Sequence, residues 1–270
     1  MASLEQTHEA WDRFAGAYDQ TFTPIAMVVA GEALRIAGVV AGDRLLDIAA
    51  GGGALSIPAA RLGADVLATD FSPAMVELIK LKAQQQGLPN LQARIMDGTA
   101  LDLDDDAFDV TCSQLGVLLF PDRRKGLSEM ARVTRPGGKG VMVVFGPPQR
   151  VQFVSLFFQA LRAAIPNFSL PQNSPLFSLQ NPGDLRREME EAGFRDIQVE
   201  TVDNSLEVQS ADHLWTTMQS SAPAIAGLLS QFSEEQQTAA RRALGDLLRT
   251  QFGGGPAKLI AETHVGVGMK

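Results

Sequence analysis

The chain has a single cysteine, Cys112, in 270 residues. One thiol cannot close an intrachain disulfide, nor can it supply the clustered thiolates of a cysteine-based metal site. No metal site is expected, and both absences fit a reducing, cytoplasmic setting. Basic residues are in deficit: 23 Lys and Arg stand against 31 Asp and Glu, a formal net charge of −8. Sequence-independent nucleic-acid binding draws on Lys and Arg to displace counterions from phosphates, so no nucleic-acid partner is expected. Long apolar runs are also missing. Residues 141–145 form one of the longest, far short of the ~20 residues that cross a bilayer. Residues 1–10 are polar and lack the apolar core of a signal peptide. Histidine is scarce, with His8, His213 and His264 as the full set. A lone histidine reads first as structural, and no catalytic base is assigned.

What is present is organised around Leu45-Leu46-Asp47-Ile48-Ala49-Ala50-Gly51-Gly52-Gly53. An apolar run that ends in a glycine-rich turn reads as a parallel strand handing over to a helix. Glycine lets the backbone turn sharply and lets a ligand approach without a Cβ in the way. From there strands and helices alternate. Strands are expected at residues 44–49, 65–69, 91–96, 108–115 and 139–145. Helices are expected at 54–62, from Ser72 to about 86, and at 123–134, the last ended by Pro136-Gly137-Gly138. Pro58 is tolerable only near its helix start. Ser72 and Pro73 read as N-cap and first helical residue. Two helices precede this core, at about 4–18 and 25–37. The first carries Ala10, Trp11, Phe14 and Tyr18 on one face, for packing on the core or for folding over a ligand.

Alternating strands and helices imply a parallel, doubly wound α/β sheet. In such sheets ligands lie beyond the carboxyl ends of the strands, at the switch point. Asp47 with Gly51, Asp70, Asp97 and Ser113 all fall at or near strand ends. The rhythm breaks at residues 147–180, a phenylalanine-rich stretch with a helix at about 151–164, read as a cap over the site. Residues 1–146 are then the N-terminal helices and cofactor-binding core. Residues 181–270 complete the core and add cap helices, with a helix at 181–193, a strand at 197–202, helices at about 213–219 and 234–252, and a last strand at 259–267.

A carboxylate at the end of the second strand, Asp70, suits the hydroxyls of a ribose, or it caps the helix that follows. The glycines are consecutive, and no Gly-x-Gly-x-x-Gly spacing seats a pyrophosphate. Asp47 beside the turn would repel one but suits an ammonium group. S-adenosyl-L-methionine has a ribose, an adenine, an ammonium, a carboxylate and a sulfonium, and no phosphate.

The chain resembles the class I S-adenosylmethionine-dependent methyltransferases, of the ubiquinone/menaquinone-biosynthesis type and the natural-product small-molecule type. The likeness covers roughly residues 11–145 and rests on the glycine turn, Ala68-Thr69-Asp70-Phe71-Ser72-Pro73-Ala74-Met75, Met96-Asp97-Gly98, Phe108-Asp109-Val110 and Glu129 through Gly138. It implies a seven-stranded, mostly parallel, Rossmann-like sheet with a helical cap insertion, and S-adenosyl-L-methionine as cofactor. Residue by residue, it implies that Asp47 and the backbone of Ala49 and Gly51 hold the methionine end. Asp70 takes the ribose, with Phe71 and Met75 beside the adenine. Asp97 accepts from the adenine amino group while Gly98 and Thr99 donate by backbone. Ser113 lines the methionine part, Tyr18 closes over the cofactor, and Gln114 points to the acceptor. Ala49 departs from the family's usual first glycine, which is harmless if its φ is negative. The expected reaction is methyl transfer to O, N or C of a small apolar or aromatic acceptor, with Phe153 and Phe157 among the acceptor contacts. The same phenylalanines could instead form only the core of the insertion. Two other readings stay open: a nucleotide-cofactor oxidoreductase, and a non-catalytic cofactor-binding protein. Oligomeric state is not assigned.

Overall fold

A computed structural model of the chain describes residues 7–169 and 174–270. The first three residues of the expected 4–18 helix, and residues 170–173 of the expected cap, lie outside the described residues.

Seven strands form one sheet. They are β1 (Arg44–Ile48), β2 (Asp65–Asp70), β3 (Leu91–Ile95), β4 (Phe108–Gln114), β5 (Thr134–Phe145), β6 (Arg195–Val208) and β7 (Ala257–Met269), in the order β3-β2-β1-β4-β5-β7-β6. β1 to β5 pair in parallel, and β7 runs antiparallel to both β5 and β6. The chain reverses its direction of winding between β1 and β4, and that is where a crevice opens at the carboxyl edge. Side chains alternate across the sheet as strand geometry requires. Leu45, Val141 and Val143 enter one apolar cluster, whereas Leu46, Ile48, Met142 and Val144 enter the cluster on the opposite face.

The first face is covered by α2 (Thr23–Ala37), α3 (Ser56–Arg61) and α4 (Pro73–Gln85), the second by α5 (Arg123–Val133) and α7 (Pro182–Glu191). α4 starts as its sequence predicts: Ser72 accepts from the Met75 amide, and Pro73 follows it. Pro58 is the third residue of α3, where its missing N–H costs nothing.

A third apolar cluster lies under the cap, beyond the body of the sheet, and includes the outer strand residues Phe145, Leu206 and Leu259. It is assembled from distant stretches: Phe22 and Ala26, then α6 (Gln152–Ala164), then α8 (Ala211–Ser221), α9 (Pro223–Leu229) and α10 (Glu234–Phe252). Trp215 and Phe157 lie at its centre, fully buried, with ring centroids 5.2 Å apart. Among the described residues no helix is long and apolar enough to cross a membrane.

Some boundaries differ from the sequence expectation. The Pro136-Gly137-Gly138 segment does not separate helix from strand; α5 ends at Val133 and β5 begins at Thr134. The ladder with β4 shifts register between Phe108 and Val110, so the proline sits at an irregularity where no ladder donor is needed. β6 runs to Val208 rather than 202, because its ladder with β7 continues past the sheet body and delivers Leu206, Val208, Ala257 and Leu259 to the cap cluster. α9, unforeseen in the sequence, starts at Pro223. α1 (His8–Thr21) continues three residues past Tyr18.

Candidate functional site

A cavity of about 900 Å³ lies over the carboxyl ends of β1, β2 and β4, between sheet and cap. Small-molecule sites span roughly 300–1,000 Å³, and this one is at the upper end of that range.

The sheet side is built from strand ends. At the end of β1 the backbone turns through Ala49 (φ +57°), Gly51 (φ +53°) and Gly53 (φ +81°). Ala49 therefore does not have the negative φ under which alanine was expected to be harmless. It occupies the left-handed region, which costs a residue with a Cβ roughly 1–2 kcal/mol. The turn hydrogen bonds hold it there: Ala50 N donates to Thr69 O and Gly53 N to Ala50 O, each at 2.9 Å. Room for the extra methyl comes from across the cavity floor, since a Cβ on Gly116 would lie 2.5 Å from that of Ala49.

Asp70 ends β2. Its carboxylate accepts from Gly51 N at 2.8 Å and from Ser72 N at 2.9 Å. It is buried, faces the cavity and has no cation partner among the described residues. Burial, outweighing these bonds, pushes its pKa up to about 6. Phe71 and Met75 line the cavity beside it. Asp97, Gly98 and Thr99 follow β3 and line the same end. Asp97 accepts from both the amide and the hydroxyl of Thr99 at 2.8 Å, so the Thr99 N–H expected to face a ligand is already engaged. Gly98 is fixed by packing, because a Cβ there would strike the Phe120 ring.

Asp47 and Ser113 are near the turn but are not among the cavity-lining residues. Asp47 is buried beneath the turn and accepts from the Ser56 hydroxyl, tying β1 to the start of α3. Its pKa is pushed up to about 7, by burial first and then by the nearby Asp70 charge. The Ser113 hydroxyl donates to Ile48 O at 2.9 Å and accepts from Val117 N at 3.1 Å. Both residues shape the turn from behind.

α1 lies over this end. Asp12 accepts from the Ser72 hydroxyl at 2.6 Å and the Ala74 amide at 3.1 Å, capping α4 from outside. Asp19 pairs with Lys82, which also donates to Gly52 O at 2.8 Å. These clamps set the Tyr18 ring 3.6 Å from where a Gly51 Cβ would stand. Burial, then Asp70 and Asp19, hold the Tyr18 phenol far above its ordinary pKa, so it stays protonated. A row of aromatic contacts leaves from it, with centroids 5.3–6.4 Å apart: Trp11, Tyr18, Phe22, Phe153, Phe145 and Phe177. All six line the cavity.

Gln114, at the end of β4, lines the cavity and donates its amide to Ala26 O at 2.8 Å. Phe153 faces the cavity, whereas Phe157 packs against Trp215 and Phe158 and is not among the lining residues. None of the three histidines lines the cavity: His264 bridges Thr201 and Gln180, His213 accepts from Gln209 N, and His8 lies beside Asp12 at the surface. Sequence reasoning missed the lining residues Gln159, Arg162, Ile225 and Leu228. Gln159 and Arg162 are exposed, on the polar face of an amphipathic α6 at the edge of the cavity, a position that carries no signal in the sequence.

The residues fit a nucleoside better than a dinucleotide. A buried carboxylate with no cation partner among the described residues suits a pair of hydroxyls, Phe71 and Met75 make an apolar slot, and Gly51 puts no Cβ at the turn. Among the described residues the lining cations are Lys125 and Arg162, on α5 and α6, and none stands at the β1–β3 ends to meet a pyrophosphate.

Comparison with known proteins bears on the family and the fold. A family profile described as a methyltransferase domain matches residues 46–142. An uncharacterised protein of Mycobacterium tuberculosis is 37% identical over 139 residues, half of this chain and 49% of its own length. The chain spans about half the length of the first such relatives it matches. A demethylmenaquinone methyltransferase of Mycobacterium sp. (strain KMS) is 33% identical over 163 residues, 59% of this chain and 68% of that one. The chain belongs to the class I S-adenosylmethionine-dependent methyltransferases. Among solved structures, the YcgJ protein of Bacillus subtilis superposes with a TM-score of 0.59 at 18% identity, covering 89% of this chain and 97% of that chain. That likeness speaks for the fold. Membership of this methyltransferase family implies use of S-adenosyl-L-methionine.

Proposed function

We propose that the chain transfers a methyl group from S-adenosyl-L-methionine to O, N or C of a small apolar or aromatic acceptor. The observation that carries this reading is Asp70: a buried strand-end carboxylate, with no cation partner among the described residues, facing a cavity of about 900 Å³. When bound, the cofactor supplies an electrophilic methyl group on a sulfonium sulfur, a reaction in which the leaving group is already good.

The protein's task is then to bind, align and exclude water. Asp70 receives the ribose hydroxyls. Phe71 and Met75 flank the base, with Asp97, Gly98 and Thr99 at its edge. The backbone of Ala49 and Gly51 meets the amino-acid end, Tyr18 covers it, and Asp47 and Ser113 hold the turn in shape from beneath. Gln114 and Phe153 face the acceptor, and Phe157 supports that wall from within the cap. Alignment of this kind supplies about 7–11 kcal/mol of barrier reduction in good cases, and no general base is assigned. Residues 1–146 serve as N-terminal helices and cofactor-binding core, residues 147–180 as the acceptor-side insertion, and residues 181–270 as the remainder of both.

Isothermal titration with S-adenosylhomocysteine and, separately, with NAD tests the reading. Saturable binding of the first and none of the second is expected; the reverse result supports an oxidoreductase instead. Mass spectrometry of an acceptor panel that includes demethylated quinols then separates an enzyme from a binding protein, by the gain of one methyl group.

A further inference from the structure

Among the described residues, three buried side-chain polar atoms have no partner: Thr23 Oγ1, Gln114 Oε1 and Trp215 Nε1. Of these three residues Gln114 lines the cavity, and the other two do not. Its neighbour is unusual as well. Leu115 sits at φ +63°, in the left-handed region, where a bulky side chain is strained. Its amide donates to Val143 O at 2.9 Å and holds it there. In a continued strand Leu115 would point to the face opposite Gln114. The left-handed residue breaks that alternation, and both residues line the cavity.

The orientation of the Gln114 amide is fixed. A backbone carbonyl can only accept, so the amide nitrogen is the atom that meets Ala26 O at 2.8 Å, and the oxygen takes the other prong. That oxygen is enclosed by protein. Next to the cavity lies a second void of about 20 Å³. Phe22, Gln114, Leu115, Phe145 and Phe153 line both spaces and form the partition between them. The far wall of the void carries Asn204, Ser205 and Thr263, from β6 and β7. One water needs about 10–15 Å³ and two to four polar partners, so the void suits a single water that donates to Oε1. An amide nitrogen carries two hydrogens, and Ala26 O takes one. The second is the polar group that Gln114 has left for the cavity.

We infer that Gln114 sets acceptor specificity through this N–H, and that the acceptor carries a lone-pair oxygen (a carbonyl, an ether or a phenolate) on its apolar body. Leu115 and the phenylalanines of the partition hold the body, and the N–H meets the oxygen. Among such walls an unmatched N–H is costly, so a molecule of the same shape without the oxygen is rejected by the donor it leaves unpaired. The strain at Leu115 then has a use: it brings the amide and the apolar side chain to the same chamber. The inference rests on the methyl-transfer reading for what the bound molecule is used for.

Two neutral probes with one ring system test it by equilibrium dialysis: 2-acetylnaphthalene, which has a carbonyl oxygen, and 2-isopropylnaphthalene, which matches its shape without one. Gln114→Met keeps the length of the side chain and removes the N–H. Checked by thermal melting, it should weaken the ketone by about fivefold or more and leave the hydrocarbon unchanged or tighter. Gln114→Leu, a second apolar replacement, should do the same. No saturable ketone binding by wild type, unchanged ketone affinity in the variants, or equal weakening of both probes overturns the inference. S-adenosylhomocysteine is titrated in parallel and should bind wild type and Gln114→Met alike. Its failure to bind wild type would strike the methyl-transfer reading and leave the probe result standing.

Discussion

Asp70 and Ala49 carry the most consequence per atom. Asp70→Ala removes an acceptor that two ribose hydroxyls would share, at about 1–3 kcal/mol for a donor left unpaired. The dissociation constant for S-adenosylhomocysteine should rise roughly 5- to 150-fold by titration calorimetry, and wild-type affinity in the variant would refute the ribose assignment. Ala49 sits at φ +57° with its methyl in the gap left by Gly116. Ala49→Gly relieves the left-handed strain, so the urea midpoint should move up by about 1 kcal/mol of stability with m unchanged. Gly116→Ala should lose stability by at least as much, because its Cβ would collide with that of Ala49. The strand-end acids were legible in the sequence because a strand must hand its polar terminus to solvent or ligand. The sign of φ at Ala49 was not, since alanine is compatible with either basin and the turn bonds to Thr69 and Ala50 decide between them.

Among the elements, α1 and the cap helices divide the roles of holding and shaping. α1 is fastened by Asp12 on the start of α4 and by Asp19 on Lys82. Asp12→Ala removes two accepted hydrogen bonds, so α1 amides should exchange faster with deuterium while strands β1 and β4 keep their protection. Uniform acceleration across the sheet would show that the clamp holds the whole fold. In the cap, Phe157→Ala should cost about 3–5 kcal/mol of stability, as expected for a fully buried ring. Phe153→Ala, on the cavity wall, should cost less and act more on acceptor use. Five parallel strands and their helices could be read from period and punctuation alone. α9 and the outer half of β6 could not: α9 is a short apolar run with no periodicity to distinguish it, and β6 beyond Val202 is polar and is held extended by its ladder with β7.

For the whole molecule, pH couples stability to occupancy of the site. Asp47 and Asp70 have folded pKa values of about 7 and about 6, both raised by burial. In the unfolded chain each releases its proton near 3.9. Between about pH 4 and 7 the folded state therefore binds more protons than the unfolded state, and stability falls as pH rises. At about 1.4 kcal/mol per pKa unit, Asp70 accounts for on the order of 3 kcal/mol of this loss. Carboxylates whose pKa is lowered by partners, such as Asp109 and Glu129, contribute the opposite slope below about pH 4.5 and are flat across this window. The ligand-free protein should melt at a lower temperature at pH 7.5 than at pH 5, with the stabilisation by S-adenosylhomocysteine growing over the same interval as ionised Asp70 gains its hydroxyl donors. A melting temperature that climbs with pH in the absence of ligand would contradict the buried, proton-retaining carboxylates. The cap cluster has a separate implication for engineering. Its apolar interior draws on Phe22 and Ala26, on α6 and α8–α10, and on the strand ends that carry Phe145, Leu206, Val208, Ala257 and Leu259, so a chimera that borrows acceptor preference from a relative must transplant the helices together with the outer ends of β6 and β7, and only the parallel body of the sheet can be kept as a fixed chassis.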